Sequence, residues 1–189
     1  MNRFVKAVLS ALTAFALVDA GNAVAQGSSV QARTQAIVAS FNKFKHKVKE
    51  RRGVRLEKYK DVRSTASIKS NIRDYAGSYE ADGMGLSLDL KVDGSGNISV
   101  NGYEQVDMDA PVWRGFSLRN ARIQGALLTG TKVYANGATQ PFEGVFINRT
   151  SFESPTDRGL TTFGLGVVGN SLQVVNGVSV ERVFYERKR

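Results

Sequence analysis

From Met84 to Val92 every second residue is apolar: Met84, Leu86, Leu88, Leu90 and Val92 alternate with Gly85, Ser87, Asp89 and Lys91. A period of two predicts a strand with one buried face, because successive side chains of a strand point to opposite sides. Asp93-Gly94-Ser95-Gly96-Asn97 then supplies turn residues, and Ile98 and Val100 alternate with Ser99 and Asn101, which makes the stretch a β-hairpin. A lone hairpin cannot bury its dry face, so further strands must close over it. The same period continues downstream. Gly77-Ser78-Tyr79 opens the first strand, and Phe116 and Leu118 share a face in a strand beginning at Trp113. At Arg119-Asn120 the apolar parity changes from even to odd, which predicts a tight turn there and a new strand from Ile123 through Gly125 and Leu127 to Tyr134. Asn136-Gly137 and Asn176-Gly177 are two-residue hairpin signals. Between them, Phe142, Gly144 and Phe146 form one apolar row and Phe163, Leu165 and Val167 another, followed by a short Leu172 to Val175 strand. Val178, Val180, Arg182 and Phe184 share one parity of the last strand, which predicts an inward-pointing Arg182.

Without helical crossovers such a meander is antiparallel, and closing it removes exposed edges. The predicted fold is all-β, an antiparallel up-and-down barrel of about eight or nine strands preceded by an N-terminal amphipathic α-helix. The helix is read from Val30, Ile37, Phe41, Phe44 and Val48, with Ser29 before it and Gly53 after it. From Val54 to Arg73 the period is poor, and Leu56, Tyr59, Val62, Ile68 and Ile72 predict a connector with one or two helical turns.

Charge divides the chain more sharply than hydropathy does. Lys43 to Arg73 holds twelve Lys and Arg against three acids, equal to the net +9 of all 189 residues. Lys43, Lys45, Lys47, Lys49, Arg51 and Arg52 therefore read as a patch for an anionic surface, such as phospholipid head groups or an acidic envelope polymer. The other reading is a solvated helix that lays Phe41, Phe44 and Val48 on the barrel or on a second copy, giving a homo-oligomer. No base-reading motif accompanies the charge, so nucleic acid is not expected. Arg3 and Lys6, the apolar run Ala7 to Val18 and the small-x-small pattern Ala23-Val24-Ala25 predict a cleavable signal peptide at residues 1–25. The expected organisation is that signal, a cationic helical arm and connector at residues 26–74, and a barrel at residues 75–189, with a periplasmic or secreted location.

With no cysteine and one histidine, His46, the chain lacks thiolate chemistry and the usual triads, and it implies no cofactor or metal. Asp93, Ser95, Asn97, Ser99, Asn101 and Glu104 fall into a calcium-loop register, but Ile98 stands where the turn glycine is required, and the flanks are strands. Asp107 and Asp109, beside Trp113 and Arg114, read as a solvated loop; glycosidase chemistry needs carboxylates held across a cleft. Tyr103, Trp113 and Tyr134 are candidates for a barrel mouth. No enzyme is expected.

Gly77-Ser78-Tyr79 at the start of the barrel resembles the glycine-x-tryptophan opening of lipocalin-like (calycin) barrels, with tyrosine in place of tryptophan. In that family a basic residue of the last strand packs over the first-strand aromatic, and the resemblance gives that part to Arg182 over Tyr79. It implies an interior that holds a small apolar ligand, lined here by Tyr79, Phe116, Phe142, Phe146, Phe163 and Arg182. A second reading fills the interior with the phenylalanine rings themselves. The expected function is an exported, non-enzymatic binding protein for a small apolar or amphipathic ligand, with a basic arm on an anionic surface. The alternative is a structural envelope protein with a filled barrel.

Overall fold

The computed structural model describes residues 29–42, 61–81, 86–107, 112–152, 156–175 and 178–188. The signal peptide, the six basic residues Lys43, Lys45, Lys47, Lys49, Arg51 and Arg52, and also Phe44, His46, Val48, Asp109 and Asn176-Gly177 lie outside them. The chain falls into two units, Met1–Arg33 and Thr34–Arg189. Of the first, residues 29–33 are described, as the opening of helix α1 (residues 29–42).

The second unit is built on nine strands: β1 (Asp61–Ala66), β2 (Gly77–Ala81), β3 (Leu86–Val92), β4 (Ile98–Asp107), β5 (Val112–Gln124), β6 (Leu127–Tyr134), β7 (Thr139–Phe152), β8 (Leu160–Val175) and β9 (Val178–Arg187). Each of β2 to β9 pairs antiparallel with the next, and β9 returns to β2 through Tyr79↔Arg187 and Glu80↔Glu186. Eight strands thus close into a barrel, and β1 is added outside the ring on the far half of β7, from Asp61↔Phe152 to Ala66↔Ile147. The period-two rows point inward as expected. Leu86, Leu88 and Leu90 are 1–3% exposed, and Val100, Phe116, Leu118, Phe142, Phe146, Leu165 and Val167 are buried with them.

Three local expectations are corrected. The stretch expected to be a basic connector with helical turns contains a strand, β1, followed by a single 3-10 turn at Ile72–Tyr75. Val62, Ser64 and Ala66 alternate at period two, and pairing with the uncovered edge of β7 outweighs the weak helical spacing. The change of parity at Arg119-Asn120 is not a turn. Strand β5 runs straight through it, the register with β6 shifts between Arg119 and Arg122, and Asn120 takes φ 55°. An extra residue in one strand flips the faces as a turn would, but keeps the chain in the sheet. The turn comes instead at Gly125-Ala126, where Gly125 has φ 60°, in the middle of the expected strand. Finally, the two strands expected between Thr161 and Val175 are one strand, β8, with its own register shift between Val168 and Gln173.

Helix α1 uses its apolar stripe within the unit. Ile37 is 3% exposed, and the Phe41 ring lies against Gly166, where a side-chain carbon would come within 2.8 Å of it. Ile147 of β7 meets the same spot, so β7 is buried on both faces, with Phe142 and Phe146 inside and Val145 and Ile147 outside. Asn42 ends the helix by bonding both backbone groups of Ser64: its Nδ2 donates to the carbonyl at 2.9 Å, and its Oδ1 accepts from the N–H at 2.6 Å. One amide side chain thereby satisfies part of the open edge of β1.

Candidate functional site

The barrel interior is divided. Towards the end that carries the 3-10 turn it is filled by rings. Tyr75 and Phe146 stack at 4.1 Å, Tyr79 and Phe163 lie 5.9 and 6.1 Å from Phe146, and the Tyr75 hydroxyl is 2.8 Å from the Gly125 carbonyl. Tyr75, Tyr79 and Phe146 are at most 1% exposed. Burial raises the Tyr79 hydroxyl far above the ordinary tyrosine value, although Arg187 opposes the shift. Of the six interior residues expected to line a ligand, Tyr79, Phe146 and Phe163 belong to this packed half.

Arg182 belongs to neither half. In β9 the inward residues are Val183, opposite Val167, and Tyr185, opposite Leu165; Arg182 is opposite Val168 on the outer face. The parity was ambiguous because both faces of β9 carry large apolar residues: Phe184 is on the outer one, with the Arg149 guanidinium 5.3 Å from its ring. The last-strand cation at Tyr79 is Arg187. It is the register partner of Tyr79, its guanidinium is 5.7 Å from the Phe163 ring centroid, and it donates to the carbonyls of Asp74 at 3.0 Å and Ala76 at 2.6 Å. Gly77 makes room, since a side-chain carbon there would sit 2.8 Å from the Arg187 Nε.

Towards the other end, where β4 finishes and β5 begins, the interior holds charge. Glu104 is 6% exposed and lies directly across the ladder from Arg114. The Arg114 Nε donates to its Oε1 at 3.1 Å, with Nη2 on the same oxygen, and the Lys132 Nζ donates to Oε2 at 2.8 Å. Lys132 is 2% exposed and lies 4.5 Å from the Phe116 ring centroid and 5.8 Å from that of Phe142. The aromatic faces offer a buried ammonium a negative surface that the carboxylate alone does not supply. Arg114 lies 3.9 Å from the Tyr134 ring, and the Tyr134 hydroxyl donates to the Gln140 Oε1 at 2.9 Å. Burial by itself would raise Glu104, but Lys132 and then Arg114 reverse the effect and hold its carboxyl below the ordinary range. Burial also works against the Arg114 charge, and Glu104 outweighs it. The same carboxylate adds to burial in pushing Tyr134 up to about 12. Tyr185 is raised too, chiefly by burial. Around this cluster both phenols remain neutral donors at any ordinary pH. Comparisons of the chain with protein-family models, with curated proteins and with solved structures return no match.

Phe116 and Phe142 are therefore brought to the charged half, while Glu104, Arg114 and Lys132 were missed as interior residues. Tyr103 and Trp113, expected at a mouth beside Tyr134, lie outside the barrel on adjacent strands at 59% and 53% exposure. Asp93 uses its carboxylate within the hairpin turn, accepting from Ser95 N, Asn97 N and Asn97 Nδ2 at 2.8–2.9 Å. Beyond Asn101↔Ser117 strands β4 and β5 continue without pairing, and an open groove of about 460 Å³ lies there, lined by Asn97, Ile98, Leu118, Asn120, Arg122 and Gln124.

Proposed function

We propose that this is a non-enzymatic binding protein whose barrel takes a small amphipathic ligand at the charged half of its interior. The observation that carries the reading is the Glu104–Arg114–Lys132 cluster set among Phe116, Phe142 and Tyr134. A mainly apolar and aromatic lining with a few convergent polar groups is the usual make-up of small-molecule sites. Further support comes from the barrel closure. The Gly77-Ser78-Tyr79 opening, with Arg187 of the last strand against it, is similar to lipocalin-like barrels, and Arg187 takes the part first given to Arg182. The ligand's tail would run between Phe116, Phe142 and the strand rows beside them, not through the packed Tyr75–Tyr79–Phe146 stack.

The basic segment Lys43 to Arg52 would hold the protein to an anionic envelope surface on the periplasmic or outer side. Each cation near such a surface contributes about 1 kcal/mol. Native mass spectrometry and solvent extraction of the protein purified from its source should release a bound amphipath; a bare chain in both measurements overturns the ligand reading. Sedimentation with phosphatidylglycerol vesicles should lose its salt-sensitive binding when Lys43, Lys45, Lys47, Lys49, Arg51 and Arg52 are changed together to glutamine.

A second reading draws on the filled half of the interior: a structural envelope protein whose barrel is only a scaffold. A salt-independent oligomer by light scattering, with no ligand extracted, would favour it.

A further inference from the structure

The barrel wall is open along one seam, and we infer that this seam receives an extended segment of another protein in which apolar residues alternate with acidic ones. Strands β4 and β5 pair from Asp107↔Val112 to Asn101↔Ser117 and no further, yet β5 runs on to Gln124 and β4 starts at Ile98. Beyond Ser117, β5 has β6 alone as its neighbour, and residues 98–100 of β4 have β3 alone, so each keeps one margin of backbone groups without a ladder partner. The groove of about 460 Å³ lies between these margins. Such margins are templates for a further strand, and residues 118–124 of β5 offer about 23 Å of one.

The two faces of β5 say what the added strand carries. Leu118 and Ile123 face inward, because their partners on β6 are the buried Lys132 and Leu128, and with Ala121 and Ile98 they make the apolar floor of the groove. Ala121, Ile123 and Ile98 are only half-buried, so part of this floor is still uncovered. Arg119 and Arg122 are exposed on the outer face, opposite Thr131 and Thr129. The bulge at Asn120 puts one extra residue between them, and their partners are two apart, so the two arginines hold successive positions of one face, about 7 Å apart along the strand. A neighbouring strand with an acid at every second residue sets a carboxylate beside each arginine and turns its apolar side chains onto the floor. Neither arginine has an ion pair among the described residues, and the groove lining holds no acid. The first acid along the row, Glu143, stands a strand away beyond Thr129. A second copy is the poorer occupant, since a two-fold pairing of this margin with itself would bring arginines against arginines.

The test is fluorescence anisotropy of the full chain with two capped, labelled hexapeptides, Val-Glu-Val-Glu-Val-Glu and Val-Lys-Val-Lys-Val-Lys. The acidic peptide should bind about tenfold more tightly, and its advantage should shrink with added salt. Arg119→Gln combined with Arg122→Gln, both at exposed positions and so safe for folding, should remove most of that advantage. To separate strand addition from charge attraction, the acidic peptide is also made with its odd or its even residues N-methylated. The set that faces β5 should lose about tenfold in affinity, because methyl groups replace its ladder donors at unchanged charge. Hydrogen exchange should slow in residues 118–124 when the unmethylated peptide is bound. Failure of the acidic peptide to bind, equal affinity for the two peptides, full binding by both methylated forms or unchanged exchange in β5 overturns the inference. A dimer by light scattering in which residues 118–124 are protected and the peptide does not displace the partner assigns the margin to a second copy, and overturns it too. The interior ligand is read by extraction, so either proposal can fail alone.

Discussion

Lys132→Met keeps the length of the side chain and deletes its charge, leaving Glu104 with Arg114 alone at a site where the carboxylate is almost sealed from water. Breaking a buried pair from one side costs about 3–5 kcal/mol, and the remaining arginine should hold the loss near the lower figure. Urea unfolding would show it as a lower midpoint at unchanged slope. Changing Glu104→Gln in the same chain should recover part of the loss, since the orphaned charge goes with it. These residues were legible in principle. Glu104 continues the inward row of Val100 and Gly102, Arg114 precedes Phe116 and Leu118 at period two, and Lys132 shares parity with Leu128 and Tyr134. They were passed over because a charged residue at the end of a strand is normally placed in water, and no single strand reveals that three such residues meet. Pairing across β4, β5 and β6 is what brings them together, and register is not readable one strand at a time.

At the scale of elements, bulges and glycines set the geometry. Asn120 holds φ 55° within β5, a conformation that β-branched residues reach only with strain. Asn120→Gly should therefore be tolerated, and Asn120→Val should cost about 1–2 kcal/mol in thermal or chemical unfolding. The bulge also marks where sequence reading erred: an extra residue and a turn leave the same trace in the apolar pattern, and Gly125, the real turn, looked like one more inward strand position. The hairpins around Asp93 and Asn136-Gly137 were read correctly because their chemistry is local. Between helix and barrel, Gly166 is the contact that matters. Gly166→Val would drive side-chain atoms into Phe41 and Ile147 and should cost about 1–3 kcal/mol. Hydrogen exchange should then show faster exchange in residues 34–42 while the inner strands stay protected, which would separate helix undocking from loss of the barrel.

For the molecule as a whole, the titrating groups predict how stability depends on pH. Glu104 has a carboxyl value below its ordinary one in the folded state. Its contribution is thus complete above the unfolded value and is lost as pH falls from the ordinary carboxylate range through the folded value. Midpoints measured on the acid side should fall steeply for the native chain and less steeply for Glu104→Gln. On the alkaline side the phenols act in the opposite direction. Tyr75, Tyr79, Tyr134 and Tyr185 are all raised, so the unfolded chain ionises first and stability declines once pH passes the ordinary tyrosine value. Absorbance at the tyrosinate band should lag behind free tyrosine and then rise with unfolding. All-β antiparallel architecture was visible from alternation alone. Closure was only inferred, and Arg187 rather than Arg182 makes the contact because parity in β9 cannot be decided when both faces are apolar.

That arginine has a consequence for biogenesis. The ring is shut by β9 returning to β2, and Arg187 reaches carbonyls 113 and 111 positions upstream of it. A chain emerging from the ribosome can form hairpins as it goes, but the seam cannot be sewn until Glu186 and Arg187 have been made. A stop codon just before Glu186 would leave β2 and the facing side of β9 as raw margins and the carbonyls of Asp74 and Ala76 without their donor, and such a product should be cleared by proteases or clump, however well β8 still holds the rest of β9.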